Sequence, residues 1–150
     1  MWTSPYNLSG LLRGDGKRPD GATLIPWSKG RCLIWDFTCP DTLALSHLHQ
    51  SSLATGSAAS VAETNKVTKY SNLSTSYNFA PFAIETLGGW GPVALDLSSE
   101  LGSKIAAKTG EPRSTSFPRQ RLDMIIQRGN TASIRGTMTN FIFSSDHPVQ

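Results

Sequence analysis

Asp20 and Asp36 are the residues whose type and spacing carry chemistry in this chain. Asp20 ends the stretch Arg18-Pro19-Asp20 and is followed by Gly21; Asp36 lies within Ile34-Trp35-Asp36-Phe37-Thr38. Two carboxylates brought to one face by a β-hairpin can share one divalent cation, because hard cations take oxygen ligands. Asp-Gly is ordinary turn chemistry, so Asp20 alone carries little weight. Asp36 is different. Its neighbours Leu33, Ile34, Trp35 and Phe37 predict a buried strand, where a carboxylate costs several kcal/mol, roughly, unless it is paired or metal-bound.

The elements that must position the two acids are strands. Segments 22–27 and 31–38 are rich in β-branched and aromatic residues, which predicts an antiparallel hairpin. Ser28-Lys29-Gly30 predicts a three-residue loop with glycine at the left-handed position. That loop pairs Trp27 with Arg31, Ala22 with Asp36 and Asp20 with Thr38, making Asp20 and Asp36 diagonal neighbours roughly 7–8 Å apart. A slip of one residue turns Asp20 to the opposite face. Pro26 cannot donate to the ladder and marks an edge or a bulge.

A chain of 150 residues is one domain long. No apolar run approaches the ~20 residues of a membrane-spanning helix, and no segment reads as a signal peptide. Cys32 and Cys39 fall on one predicted strand, about 23 Å apart at ~3.3 Å per residue, so they cannot bond to each other. Free thiols fit a reducing compartment, nuclear or cytoplasmic. The net charge is +3, unevenly placed. Arg13, Lys17, Arg18, Lys29 and Arg31 crowd one end; Arg113, Arg119, Arg121, Arg128 and Arg135 crowd the other. Two basic flanks suit a polyanion such as DNA, and they are equally what a solvated surface looks like.

Along the chain, 1–16 reads as an irregular lead-in, 17–140 as the domain and 141–150 as a flexible tail. Pro40-Asp41-Thr42 ends the hairpin and predicts a helix from near Leu43, broken around Thr55-Gly56-Ser57. A better helix is predicted from Ala58 to about Tyr70, with Ala59, Ala62 and Lys66 on one face. Phe79 to Ile84 predicts a strand closed by Gly88-Gly89-Trp90-Gly91. Pro92 then opens a helix with an apolar stripe of Leu97, Leu101 and Ile105, ending at Gly110. A last helix is expected from near Pro118, with Gly129 as its expected kink or end. The order predicts a mixed α/β domain with a small sheet flanked by helices.

Other candidates are weaker. His47 and His49 are two apart and do not share a helical face, so they read as surface residues. Glu63 reads as an exposed helical partner of Lys66, and Glu85 as a solvated strand-end acid. Gly88-Gly89-Trp90-Gly91 lacks the spacing of a phosphate loop. Arg121, Arg128 and Arg135 recur every seven residues and form a narrow stripe able to follow a DNA backbone if the helix continues.

Arg18-Pro19-Asp20, Asp36-Phe37-Thr38 and Lys66-Val67-Thr68-Lys69-Tyr70 together resemble the PD-(D/E)XK nuclease fold. The closer resemblance is to the restriction-endonuclease-like domain at the C-terminal end of site-specific non-LTR retrotransposon polyproteins. There a "(K/R)PD" strand start, an apolar strand ending "D-V-T" and a helix with "K-x-x-K-Y" form the nuclease core. The block from Lys17 to about Gly136 also looks like the C-terminal region of transposon-derived reverse-transcriptase proteins of animals. The resemblance implies a Mg²⁺-dependent DNA endonuclease in which Asp20 and Asp36 hold the metal. Lys66 is implied as the catalytic lysine, with Lys69 as the other candidate. It implies DNA contacts from Arg18 and Lys69, and a reverse-transcriptase domain as a partner within a longer polyprotein. In the commonest form of the fold a lysine follows the second acid by two residues, where this chain has Thr38; the retrotransposon form takes its lysine from the following helix. The family also has a helix before the "(K/R)PD" strand. Pro5, Gly10, Gly14 and Gly16 argue against one in the lead-in, so the first helix is expected to be missing. That departure, and the long gap from Asp36 to Lys66, leave a second expectation: an inactive remnant of the fold that binds nucleic acid or serves only as structure.

Overall fold

The computed structural model describes residues 18–144. The expected lead-in 1–16, with the family's first helix, and the part of the expected tail beyond Ser144 lie outside the described residues. The order is β1 (Gly21–Ala22), β2 (Leu33–Thr38), α1 (Leu48–Leu53), α2 (Ser57–Lys69), a 3₁₀ turn (Ser71–Leu73), β3 (Asn78–Ala83), α3 (Pro92–Thr109) and α4 (Ser116–Ser144). This is the expected mixed α/β arrangement: a three-stranded sheet ordered β1-β2-β3 with flanking helices. β1 runs antiparallel to β2, and β2 runs parallel to β3. A parallel pair needs a long crossover, here supplied by α1 and α2.

A hairpin forms, but the expected strand 22–27 does not: β1 is only Gly21–Ala22, β2 is Leu33–Thr38, and the register differs. Ser28 bridges Arg31 across a two-residue loop, and Lys29 (φ 50°) and Gly30 (φ 71°) both take the left-handed conformation that such a turn requires. At the other end Gly21 faces Trp35 and Ala22 faces Ile34, two residues away from the expected pairing of Ala22 with Asp36. The cause is an excursion at 23–27: five residues stand against Cys32 and Leu33, and Leu24 and Ile25 are exposed. Pro26, unable to donate, sits in that excursion. A shift of two conserves the face, so Asp20 stays on the side of Asp36.

The two faces of the sheet have different covers. Ile34, paired with Ala22 and Phe79, packs with Tyr70 and Leu73 beneath α2. On the other face Leu33, Trp35, Phe37 and Phe82 look toward Leu97 and Leu101 of α3. The first helix starts later than expected, at Leu48 rather than Leu43. α2 and α3 fall within a residue or so of expectation, with Pro92 at the α3 start and Gly110 (φ 75°) at its end. α4 starts two residues before Pro118 and runs through Gly129 without a break.

Candidate functional site

Asp36 is 4 % exposed, and its carboxylate is held from α2. Lys66 Nζ makes an ion pair with Asp36 Oδ2. Tyr70 Oη lies 3.4 Å from Asp36 Oδ1 and 3.3 Å from the Arg18 carbonyl, so its one proton serves one acceptor at a time. Lys66 and Tyr70 reach the same carboxylate because residues four apart stand one above the other on a helix. The polar Asp36 is thereby tolerated in an apolar strand, and Tyr70, only 1 % exposed, packs its ring 5.0 Å from that of Phe79.

Asp20 is exposed. It precedes β1, whose ladder with β2 ends at the Gly21–Trp35 pair, and its own N–H donates to the Trp35 carbonyl at 3.0 Å. Its Oδ2 accepts the Phe37 N–H at 2.6 Å, so the carboxylate caps the edge of β2 just before the first residue of β1. Asp20, Asp36 and Lys66, drawn from three elements, thus share one region on the α2 side of the sheet. Arg18 joins it through its carbonyl, and Lys69 lies over the Tyr70 ring, 4.6 Å from the centroid. Arg121 and Arg128 are carried by α4, which packs on α3, on the other side.

No cluster of three or more His, Cys, Asp or Glu side chains able to hold a metal ion exists among the described residues. A hard cation needs fewer protein ligands than that when water and substrate oxygens complete its shell. Asp20 uses one oxygen on Phe37, and the two Asp36 oxygens accept from Lys66 and from Tyr70, so a cation here would have to share Asp36 with the Lys66 ammonium.

Two acids expected at the surface are buried instead. Glu63 is 2 % exposed and accepts the Val93 and Ala94 N–H groups, both at 2.9 Å. Glu85 is 1 % exposed; it accepts the Ala58 N–H at 2.9 Å and the Thr42 hydroxyl at 3.3 Å. Each carboxylate therefore caps the N-terminus of a helix other than its own, satisfying donors that a helix start leaves open. The sequence held a signal for this. α2 and α3 begin after Gly56 and Gly91, with no capping side chain and no acid in the first turn, so their acceptors had to come from elsewhere. Burial raises the Glu63 carboxyl above its ordinary value, against the lowering by backbone N–H groups of Val93, Ala94 and Ala83, with Asp96 adding to the rise.

The glycine run finds its reason in the same carboxylates. A Cβ on Gly89 would meet Glu85 Oε2 at 2.7 Å, and one on Gly91 would overlap Glu63. Trp90 donates from Nε1 to Asp123 at 2.8 Å and faces the edge of Phe82. Arg119, one of the basic flank, is not a surface charge: it donates to Ser98 at 2.7 Å and to the Leu95 carbonyl at 2.8 Å, tying α4 to α3. Cys32 and Cys39 are both free, Cys32 half-buried and Cys39 exposed, and burial of the Cys39 thiol raises its pKa, with the Asp41 charge adding to the rise. Among the described residues no helix is long and apolar enough to cross a membrane. No family model matches the chain, and neither a curated protein nor a solved structure does.

Proposed function

We propose that Asp20, Asp36 and Lys66 form the site of a metal-dependent DNA endonuclease of the restriction-endonuclease-like class. The observation that carries the reading is a buried carboxylate, Asp36, bearing a lysine from α2, with a second, exposed carboxylate bonded to the N–H of the next residue, Phe37. Asp20 and Asp36 would hold Mg²⁺, which supplies polarisation of the phosphate and acidification of the attacking water. Lys66 places its ammonium where negative charge develops on the phosphate, and Tyr70 fixes the Asp36 carboxylate against rotation. Arg18 and Lys69 would contact the flanking phosphates. The same reading places the domain beside a reverse transcriptase in a longer, mobile-element polyprotein acting in the nucleus or cytoplasm.

Nicking of a supercoiled plasmid tests it. The protein is expected to nick with Mg²⁺ and not with EDTA. Asp36→Ala and Asp20→Asn lose nicking to background while keeping DNA binding, and Lys66→Ala slows it without abolishing Mg²⁺ binding. Equal nicking by Asp36→Ala would place the chemistry elsewhere. One observation favours a second reading, an inactive remnant: both Asp36 oxygens are already engaged, by Lys66 and Tyr70, as in a purely structural ion pair. A wild-type chain that binds DNA and never nicks supports that one.

A further inference from the structure

α4 contains Arg119, Arg121, Arg128 and Arg135 against one acid, Asp123. The helix sorts them. Arg119, Leu122, Asp123, Ile126 and Asn130 are half-buried and recur at the spacing of one helical face; Arg119 and Asp123 are consumed there by α3 and by Trp90. Arg121, Arg128 and Arg135 are exposed and lie at the opposite pole. Their seven-residue spacing drifts by only about 40° over two heptads. They form a line about 21 Å long with a cation every 10.5 Å or so. Among the described residues of α4, no acid shares that pole.

Gly129 and Gly136 each follow one of the arginines and stand about 100° round the helix from it, on the flank of the pole, exposed and with open space where a Cβ would stand. Glycine is a poor choice for the middle of a solvated helix. It is useful where another surface must come close to the helix backbone.

We propose that the outer pole of α4 is a docking surface for the sugar–phosphate backbone of duplex DNA, with Arg121, Arg128 and Arg135 as its phosphate contacts. A rigid line of cations is matched by a stiff polyanion, whose phosphates are already ordered, better than by a flexible one. An α-helix of about 10–12 Å diameter also fits the roughly 12 Å major groove. The like charges along the pole disfavour a second copy of the same helix. The inference rests on the nucleic-acid half of the proposed function and is independent of the catalytic residues.

The test is binding of a 30-bp duplex in EDTA, followed by fluorescence anisotropy across a salt series. The Arg121→Gln/Arg128→Gln/Arg135→Gln variant should bind about tenfold or more weakly at moderate salt. Its slope of log affinity against log salt should be shallower by about 2–3, since each phosphate contact contributes about 0.9. The matching triple lysine variant keeps charge and should stay within about threefold of wild type. Because the assay is run in EDTA it reads docking without cleavage, so that loss of nicking and loss of docking are read separately. If the glutamine variant does not fold, Arg128→Glu alone should weaken binding severalfold. No binding by the unaltered chain overturns the proposal, as does an unchanged slope in the glutamine variant. Loss of binding to phosphatidylserine vesicles with duplex binding intact overturns it in favour of a membrane surface.

Discussion

The ammonium and the carboxylate of the Lys66–Asp36 pair are not equivalent. The Asp36 side chain is 5 % exposed and the Lys66 side chain 23 %, so only the lysine can swing to water when its partner is lost. Lys66→Ala is therefore expected to be the more damaging change, by roughly 2 kcal/mol or more, because it leaves a buried charge with the Tyr70 hydroxyl alone. Asp36→Asn combined with Lys66→Met should recover much of that loss; urea denaturation of the three variants measures the order. Glu63 gives a pH signature. Burial holds its folded carboxyl above the ordinary glutamate value, so between those two values the folded chain binds more protons than the unfolded one. Its contribution to stability accordingly falls as pH rises through that window. The stability of wild type minus that of Glu63→Gln should decline over the same range, and a flat or rising difference contradicts the assignment.

Helix starts explain the element scale. α2 and α3 both begin without a local cap, and each borrows a carboxylate from a neighbouring element, Glu85 for α2 and Glu63 for α3. The borrowed acids lock the order of packing, because β3 and its following turn supply one cap and receive clearance for the other. Gly91 adopts an ordinary extended backbone (φ −69°), so replacing it tests clearance rather than backbone freedom. Gly91→Ala should lower stability by about 1–3 kcal/mol through overlap with the Glu63 side chain. In a Glu63→Ala background the same change should cost much less; the coupling in that double-mutant cycle is the measurement.

At the scale of the whole molecule the sheet is a partition. α2 faces the polar set, Asp36, Lys66 and Tyr70. α3 faces an apolar groove of about 400 Å³ lined by Trp27, Trp35, Phe37, Phe82, Leu97 and Leu101. If Asp20 and Asp36 hold Mg²⁺, the ion stabilises the whole domain by mass action. At tenfold excess over the dissociation constant this is about 1.4 kcal/mol, a rise of roughly 3–6 °C in melting temperature for a domain of this size. Thermal melts with and without Mg²⁺ should show the rise in wild type and lose it in Asp20→Asn.

What the sequence by itself determined is local. Apolar content and a glycine turn located β2 and the turn before it, while most of the expected first strand, 22–27, is not a strand. Periodicity with Pro92 and Gly110 bounded α3, and a carboxylate inside an apolar strand announced that Asp36 needed a partner. Which group that partner is, the Lys66 ammonium, only the structure shows; from the sequence alone Lys66 pairs with Glu63. What only the tertiary structure decided is long-range. Ala22 pairs with Ile34 rather than Asp36 because the excursion at 23–27 moves the register by two, and no periodicity encodes how many residues a bulge absorbs. Glu63 and Glu85 became caps through partners 30 and 27 residues away, beyond the reach of any spacing rule. Gly129 reads as a helix end in isolation, yet α4 continues because Arg119, Asp123 and Asn130 tie the helix to α3 and to the β3–α3 turn on either side of that weak point. Tertiary packing overrides a propensity difference of about 1 kcal/mol, which is why helix existence was legible in the residues and helix extent was not.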